Sequence, residues 1–277
     1  MSTMVGKELL SAVEAIAREA GAVIMEVYGR DDFGVRVKSD DSPLTEADAA
    51  AHVLIAERLK ALTPAVPLLS EEDVPAFPGP DSAGRFWLVD PLDGTKEFIK
   101  RNGEFTVNIA LIEAGRPVLG VVYAPVLDTM YAAVRGEGAF RQRQDGRIAI
   151  HVAKHREGAV WRVVGSRSHA GDSLQALLQY LGPHELVSMG SSLKLCLVAD
   201  GSADIYPRLG PTMLWDTAAA QCVVEQAGGA VMHLSGATLG YGNLSVLCNP
   251  FFLVHGQDDM DWKAVFSALP QLQGGGG

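Results

Sequence analysis

The sequence predicts an α+β protein, because helical and strand patterns are mixed along the chain without strict alternation. Three observations carry this prediction: a long amphipathic helix at the start, a run of antiparallel strands in the middle, and interleaved helices and strands afterwards. The 277 residues are 48% hydrophobic, which is enough to bury a large core. No low-complexity linker divides them, so we expect one compact unit with two layered halves, about 1–155 and 156–270.

The first helix is predicted over about 5–27. Its apolar residues recur every three or four positions, and Gly29 is expected to end it. The helix has mixed charge and no basic leader, so we expect neither a signal peptide nor a transit peptide. No apolar run approaches the ~20 residues that a transmembrane helix needs.

The middle of the chain predicts strands. Apolar runs at 67–69 and 86–89 are too short for surface helices, and Pro91 is expected to end the second strand because it has no N–H to donate. A short helix is predicted over 96–100. An antiparallel meander is predicted over 105–140, with turns at 113–116 and 135–138.

Predicted helices and strands are interleaved in the last part of the chain. Helices are predicted at about 172–181, 191–200, 216–227 and 259–268, and strands near 160–165, 185–189, 203–208, 230–234, 244–248 and 251–255. Residues 271–277 are expected to form a disordered tail.

Charge and cysteine content restrict the function. The net charge of −10 argues against binding a nucleic-acid polymer, which needs many Lys and Arg contacts. A small phosphorylated substrate stays compatible, because a bound cation inverts the local charge. Cys196, Cys222 and Cys248 are odd in number and lie in apolar stretches, which is typical of reduced packing residues in a cytosolic protein.

The most informative motif is the acidic turn after the strand at 86–89. Asp90 and Asp93 are three residues apart and are followed by Gly94 and Thr95, which open a short helix. Carboxylates are ligands for hard divalent cations, and a helix N-terminus attracts anions. An ordinary strand–turn–helix corner also explains these residues, since Asp-Pro and Asp-Gly are common at turns.

Two further acidic segments favour the metal interpretation. Ser70-Glu71-Glu72-Asp73 follows another short strand, and Trp215-Asp216-Thr217 begins a helix. Taken alone, the first segment could be a solvated acidic loop and Asp216 could be a helix N-cap. We expect the side chain of Glu72 to be solvated. Three such segments together are harder to explain by turn chemistry alone.

The three motifs, in this order, resemble the signature of the inositol monophosphatase superfamily of magnesium-dependent, lithium-sensitive phosphatases. Within it, Gly190-Ser191-Ser192-Leu193-Lys194 and Asp204-Ile205-Tyr206-Pro207-Arg208 are similar to the CysQ-type bisphosphate nucleotidases. The resemblance implies a five-layer α-β-α-β-α sandwich. One departure is Ala220, where the family usually has glycine, and it removes no ligand.

The resemblance also implies the site. Two or three Mg²⁺ ions would be held by Glu71, Asp90, Asp93, Asp216 and the backbone carbonyl of Leu92. The residue types agree, because all are oxygen donors and no Cys/His cluster suggests zinc.

Thr95, paired to Asp48, would help to deprotonate the attacking water. From spacing alone, Thr45-x-x-Asp48 is also close to a capping box, and the two roles can coexist.

For the substrate, Ser191 and Lys194 are one helical turn apart and, with Arg208, would hold a second phosphate. The alternative is that Lys194 extends from a helix flank and that Arg208 pairs with a surface acid. His169 would be a further substrate contact, or simply a surface residue on a loop. The implied substrate contacts are Glu71, Leu92, Asp93, Gly94, Thr95, His169, Ser191, Lys194, Arg208 and Asp216.

The expected reaction is hydrolysis of adenosine 3′,5′-bisphosphate to AMP and phosphate. An inositol monophosphatase or related sugar-phosphate phosphatase is one alternative. A non-catalytic metal- or nucleotide-binding regulator is the other. We expect the protein to be cytoplasmic. The sequence does not decide whether it associates peripherally with the inner membrane or forms a homodimer.

Overall fold

A computed structural model describes residues 5–34, 36–37, 43–165 and 172–269. The helices are α1 Lys7–Tyr28, α2 Glu46–Leu62, α3 Thr95–Ile99, α4 Asp172–Leu181, α5 Leu193–Ala199, α6 Leu214–Gln226 and α7 Trp262–Ala268. The strands are β1 Arg36–Val37, β2 Pro43–Leu44, β3 Leu68–Ser70, β4 Arg85–Asp93, β5 Thr106–Glu113, β6 Arg116–Ala124, β7 Thr129–Val134, β8 Gly138–Arg143, β9 Gly146–Ile150, β10 Trp161–Gly165, β11 His184–Ser188, β12 Ile205–Arg208, β13 Ala230–His233 and β14 Phe252–His255. A 3₁₀ segment, Glu71–Ala76, follows β3 directly.

Two sheets organise the molecule. The larger sheet has seven strands in sequence order from β3 to β9, antiparallel except for the β3–β4 pair. The smaller sheet has the order β11-β10-β12-β14-β13; β10 is parallel to both its neighbours, and β14 is antiparallel to both of its own. β1 and β2 form a separate antiparallel pair.

Three apolar cores separate five layers. α1 and α2 pack on one face of the seven-stranded sheet, and α5 and α6 fill the space between the two sheets. α4 and α7 cover the outer face of the five-stranded sheet. The layer order is therefore α-β-α-β-α, which confirms the predicted α+β sandwich.

β4 illustrates why the central strands are continuous apolar runs. Trp87 and Val89 face the α1/α2 layer, whereas Phe86 and Leu88 face the α5/α6 layer. Because both faces of the strand are covered, apolar residues occupy successive positions instead of alternating with polar ones.

α6 packs unusually close to the seven-stranded sheet. A Cβ atom added to Gly120 of β6 would lie 2.2 Å from the backbone oxygen of Ala219. Glycine at this position lets the two backbones approach. The close packing fixes the start of α6 relative to the end of β4, where the candidate site lies.

The predicted end of the 86–89 strand at Pro91 is wrong. β4 continues to Asp93, with the register shifting between Asp90 and Asp93. Asp90 pairs with Asn108 and Asp93 with Thr106, so Pro91 falls in an irregularity where its missing N–H costs no ladder bond.

The predicted strand at 244–248 is also wrong. Leu214 donates its backbone N–H to Leu247 O at 2.9 Å, and Asn249 donates to Thr212 O at 2.7 Å. The segment therefore lies against the first residue of α6 and the residues that precede it, and it forms a bridge at Cys248, not a ladder.

The meander runs further than 140, because β8 and β9 form a hairpin that ends at Ile150. The other helices and strands predicted from sequence are present within a few residues of their expected bounds. None of the helices in the described ranges is long and apolar enough to cross a membrane. Residues 271–277 lie outside the described residues.

Candidate active site

Three element ends bring carboxylates together. β3 and β4 are parallel, with Ser70 opposite Val89, so the next residue of each strand, Glu71 and Asp90, lie side by side. α6 adds Asp216 from its first turn. One carboxylate oxygen from each of Glu71, Asp90 and Asp216 lies within 4.8 Å of the others.

Asp93 is held from the opposite side by the residues that precede α5 and by β5. Its Oδ2 accepts the backbone N–H of Ser192 at 2.5 Å and the Asn108 amide at 3.4 Å. Thr106 donates its hydroxyl to the same oxygen at 3.5 Å. These contacts fix the orientation of the Asp93 carboxylate beside the other three acids.

Burial and mutual repulsion raise the pKa of three aspartates of the site, Asp90, Asp93 and Asp216. Burial, followed by the charges of Glu71, Asp93, Asp216 and Asp48, raises the pKa of Asp90 well above its usual value. Burial and the charge of Asp93 raise the pKa of Asp216 to about 8. The pKa of Asp93 is raised by burial, against the opposing effects of Lys194 and Ser192.

This donor set fits divalent magnesium. All the clustered groups are hard oxygen donors. The pKa values of Asp93 and Asp216 stay raised although the charges of Lys194 and Arg208 act to lower them, so full compensation needs additional positive charge. A bound dication supplies that charge and stabilises the ionised carboxylates. The backbone carbonyl of Leu92, predicted as a further ligand, lies in the same turn, and its oxygen is 3.4 Å from Thr95 Oγ1.

Asp48 makes both contacts that the sequence left open. Its Oδ2 accepts the backbone N–H of Thr45 at 2.8 Å and the Thr45 hydroxyl at 2.6 Å, which completes a capping box at the start of α2. Its Oδ1 accepts the Thr95 hydroxyl at 3.1 Å. One carboxylate thus caps a helix and orients a hydroxyl beside the acidic cluster.

Gly94 permits the turn between β4 and α3. Its φ of +94° lies in the left-handed region, and a Cβ there would come within 3.2 Å of Glu104 O. Another residue would be strained at this position, so the Asp93-Gly94-Thr95 turn depends on glycine.

A cavity of about 360 Å³ connects the acids with positively charged side chains. Its lining includes Asp93, Gly94, Ser191, Lys194, Arg208 and Asp216, all of which the sequence assigned to the site. Lys96 also lines it and was not predicted. A second cavity of about 570 Å³ shares Lys96, Lys194 and Arg208 and extends past Tyr206 to Leu174.

The two positively charged side chains predicted for the site, Lys194 and Arg208, both line this cavity but have different neighbours. The Lys194 ammonium lies 5.8 Å from the ring centre of Tyr206. The Arg208 guanidinium donates to the Thr212 hydroxyl and to Pro211 O, both at 2.5 Å. Neutral partners hold Arg208 in place and leave its charge uncompensated by these contacts.

Sequence reasoning missed Asn108, Thr106 and Ser192, which hold Asp93. Ser192 lies within the 190–194 motif, but its contact with Asp93 spans 99 residues and is not visible in the local sequence. His169 lies outside the described residues.

Comparison with known proteins decides the family. The sequence profile described as the inositol monophosphatase family matches residues 6–265. The chain belongs to the inositol monophosphatase family.

Individual members of the family are similar to this chain over most of its length. The 3′(2′),5′-bisphosphate nucleotidase CysQ of Salmonella typhimurium is 53% identical over 247 residues, covering 89% of this chain and 99% of the relative. The crystal structure of CysQ from Bacteroides thetaiotaomicron has a TM-score of 0.75 at 39% identity, covering 90% of this chain and 97% of that one. The IMPase of Thermotoga maritima has the same TM-score at 24% identity, covering 96% and 98%, and supports the fold alone.

Membership of the inositol monophosphatase family confirms the resemblance drawn from the three acidic motifs. Ala220, the one departure from the family pattern, is fully buried in the core between the two sheets. Its methyl group therefore packs among apolar side chains.

Proposed function

We propose that this member of the inositol monophosphatase family is a magnesium-dependent 3′(2′),5′-bisphosphate nucleotidase that hydrolyses adenosine 3′,5′-bisphosphate to AMP and phosphate. The observation that carries the proposal is the cavity that joins the acidic cluster to Lys194 and Arg208. A substrate with two phosphates can occupy both ends of it at once. The CysQ relatives, which carry this activity in their names, support the same substrate class.

Magnesium belongs at the acidic end. Glu71, Asp90, Asp93, Asp216 and the Leu92 carbonyl would hold it. When bound, the metal supplies Lewis-acid polarisation of the phosphate and lowers the pKa of water. A Li⁺-sensitive site is part of the proposal, because these oxygen donors suit small hard cations.

Thr95 and Asp48 supply the proton acceptor. Because Thr95 donates its hydroxyl hydrogen to Asp48 Oδ1, the lone pairs of Thr95 Oγ1 are free to accept a proton from the attacking water. Thr45 fixes the other oxygen of Asp48, so the carboxylate cannot turn away. Such assistance contributes about 10²–10⁴ to a rate.

The phosphate that is not cleaved would lie against Ser191, Lys194 and Arg208. The acids at the metal end repel an unaccompanied anion, so positive side chains are needed where no metal neutralises the second phosphate. An inositol monophosphate has no second phosphate to contact these side chains. A non-catalytic regulator would have no use for a threonine–aspartate pair beside the acids.

We also propose a cytoplasmic location. Cys196 and Cys222 are free thiols buried in the core, and burial raises the pKa of both above its usual range. Buried protonated thiols of this kind are typical of proteins from reducing compartments.

Substitution of the cationic residues tests the substrate assignment. Lys194→Ala or Arg208→Ala removes a charge-assisted contact worth about 1.5–3 kcal/mol. The kcat/KM for adenosine 3′,5′-bisphosphate should fall roughly 10–150-fold, while slow hydrolysis of inositol 1-phosphate stays unchanged. Lys263→Ala, at an exposed position of α7, is the matched control. Equal losses on both substrates would refute the second-phosphate role.

A further inference from the structure

Glu71 is carried by the least buried segment of the acidic cluster. None of the residues of the 3₁₀ segment Glu71–Ala76 is fully buried, and its backbone is kinked at Asp73. Asp90 and Asp216, in contrast, extend from β4 and from α6, which are packed on both sides. The contacts at the two ends of this segment therefore contribute to the position of Glu71.

The two ends of the 71–76 segment are held by different interactions, apolar packing at one end and hydrogen bonds at the other. At the far end, Val74 and Phe77 pack partly against the middle core. At the near end, Ser70 is 1% exposed and its hydroxyl accepts the backbone N–H of Glu72 at 3.4 Å. The same hydroxyl forms a hydrogen bond with His52 Nδ1 at 2.9 Å.

His52 lies on α2, four residues after Asp48. Positions four apart share one face of a helix. One face of α2 thus reaches Thr95 through Asp48 and the residue before Glu71 through His52. The same helix therefore contacts both the proposed proton acceptor and the residue next to the proposed metal ligand.

We propose that His52 is a positioning residue for the metal site, which fixes Glu71 through the Ser70 hydroxyl. This inference rests on the proposed function, because it assigns Glu71 to magnesium. Side chains that orient metal ligands through hydrogen bonds contribute to affinity without touching the ion. Loss of the bond leaves Glu71 in place on average and widens the range of positions that it samples.

The surroundings of His52 allow its side chain to be truncated without disturbing the apolar core. It lines a cavity of about 430 Å³ between α2 and the 64–78 region, together with Lys60 and Asp73. Truncating its side chain enlarges an existing cavity and leaves the apolar core intact. Lys60 lines the same cavity about two helical turns further along α2 and serves as the control.

The experiment compares the wild type with His52→Ala, His52→Asn, Ser70→Ala, the His52→Ala/Ser70→Ala double variant and Lys60→Ala. Binding of Mg²⁺ alone is measured by calorimetry, and melting temperature is measured in EDTA. We expect His52→Ala to weaken Mg²⁺ binding about 3- to 10-fold. This is at or below the usual effect of side chains that hydrogen-bond directly to a metal-binding residue, because His52 acts on Glu71 only through Ser70. Its kcat at saturating Mg²⁺ and its melting temperature in EDTA should stay close to wild type.

The other variants separate positioning from general loosening. Asn places an amide near the position of Nδ1 and should restore most of the affinity. The double variant should bind Mg²⁺ no more weakly than the weaker single variant, since both substitutions remove one bond. Lys60→Ala should match wild type.

Two results would overturn the inference while leaving the proposed function standing. One is wild-type Mg²⁺ affinity in His52→Ala, and the other is an equal loss in Lys60→Ala. A wild-type protein that neither binds Mg²⁺ nor releases phosphate would overturn the proposed function, and this inference with it.

Discussion

Replacing Asp48 by Asn should separate its two contacts. The Asn carbonyl can take the place of Oδ2 and accept both donors of Thr45, which lie 2.8 and 2.6 Å from that oxygen. The amide nitrogen then faces Thr95 in place of Oδ1, 3.1 Å from its hydroxyl. A donor replaces an acceptor there, so Thr95 can no longer give its proton to residue 48.

The expected loss is in rate and not in stability. Removing general-base assistance should lower kcat by about 10²–10⁴. Asn caps helices about as well as Asp, so unfolding free energy should change by less than about 0.5 kcal/mol. The melting temperature should then stay within about 2 °C of wild type. Steady-state phosphate release at saturating Mg²⁺ and thermal denaturation measure the two quantities.

Thr45→Ala is the matched control. It removes the hydroxyl that bonds Asp48 and accepts Ala47 N–H, and keeps the contact between Asp48 and Thr95. Loss of an N-cap should cost about 1 kcal/mol and about 2–4 °C, with kcat close to wild type. An Asp48→Asn enzyme with undiminished kcat would refute the reasoning.

Four further outcomes are expected. Asp93→Asn should abolish Mg²⁺-dependent phosphate release while circular dichroism stays native, because the amide oxygen can still accept Ser192 N–H; Li⁺ in the tens of millimolar, roughly the range for such oxygen sites, should inhibit the wild type. In EDTA the melting temperature should fall between about pH 4 and about pH 8, because the raised pKa of Asp216, about 8, makes the folded state hold a proton that the unfolded state has lost. Mg²⁺ should remove this fall, whereas Asp216→Asn should only reduce it, because the pKa values of Asp90 and Asp93 are raised as well. Gly120→Ala should lower the melting temperature by about 3–10 °C, since its Cβ would meet Ala219 O, whereas Gly210→Ala, with nothing within 4 Å, should not.

Sequence patterns predicted the elements that are buried. The helix stripe at 5–27 and the apolar run at 86–89 carry strong periodic or compositional signals because they face packed layers on one or both sides. β9 was missed because its residues from Gly146 to Ala149 are exposed, including Ile148, so this part of the strand has no apolar face directed at the core.

The acidic motifs were predictable because each follows or begins a regular element. Parallel pairing of β3 with β4 then brings Glu71 and Asp90 together without further information. The long-range contacts were not predictable. Asp93 is held by Ser192, and Glu71 is fastened through His52, and no local pattern encodes either contact.

Pro91 and the 244–248 segment show a second limit. Proline predicts the end of a ladder, but an irregular register removes the need for its N–H. The apolar residues at 244 and 247 resemble a strand, but backbone bonds to the residues before α6 occupy that segment. Both outcomes depend on neighbours far away in sequence.

The most direct test of the central claim is phosphate release by the wild-type protein from adenosine 3′,5′-bisphosphate and from inositol 1-phosphate, with Mg²⁺ and with EDTA. We expect release from the bisphosphate that depends on Mg²⁺. Its kcat/KM should exceed that for inositol 1-phosphate by at least about 10-fold, the value of one charge-assisted contact to the second phosphate. Equal or faster hydrolysis of inositol 1-phosphate, or release from the bisphosphate in EDTA, would contradict the assignment.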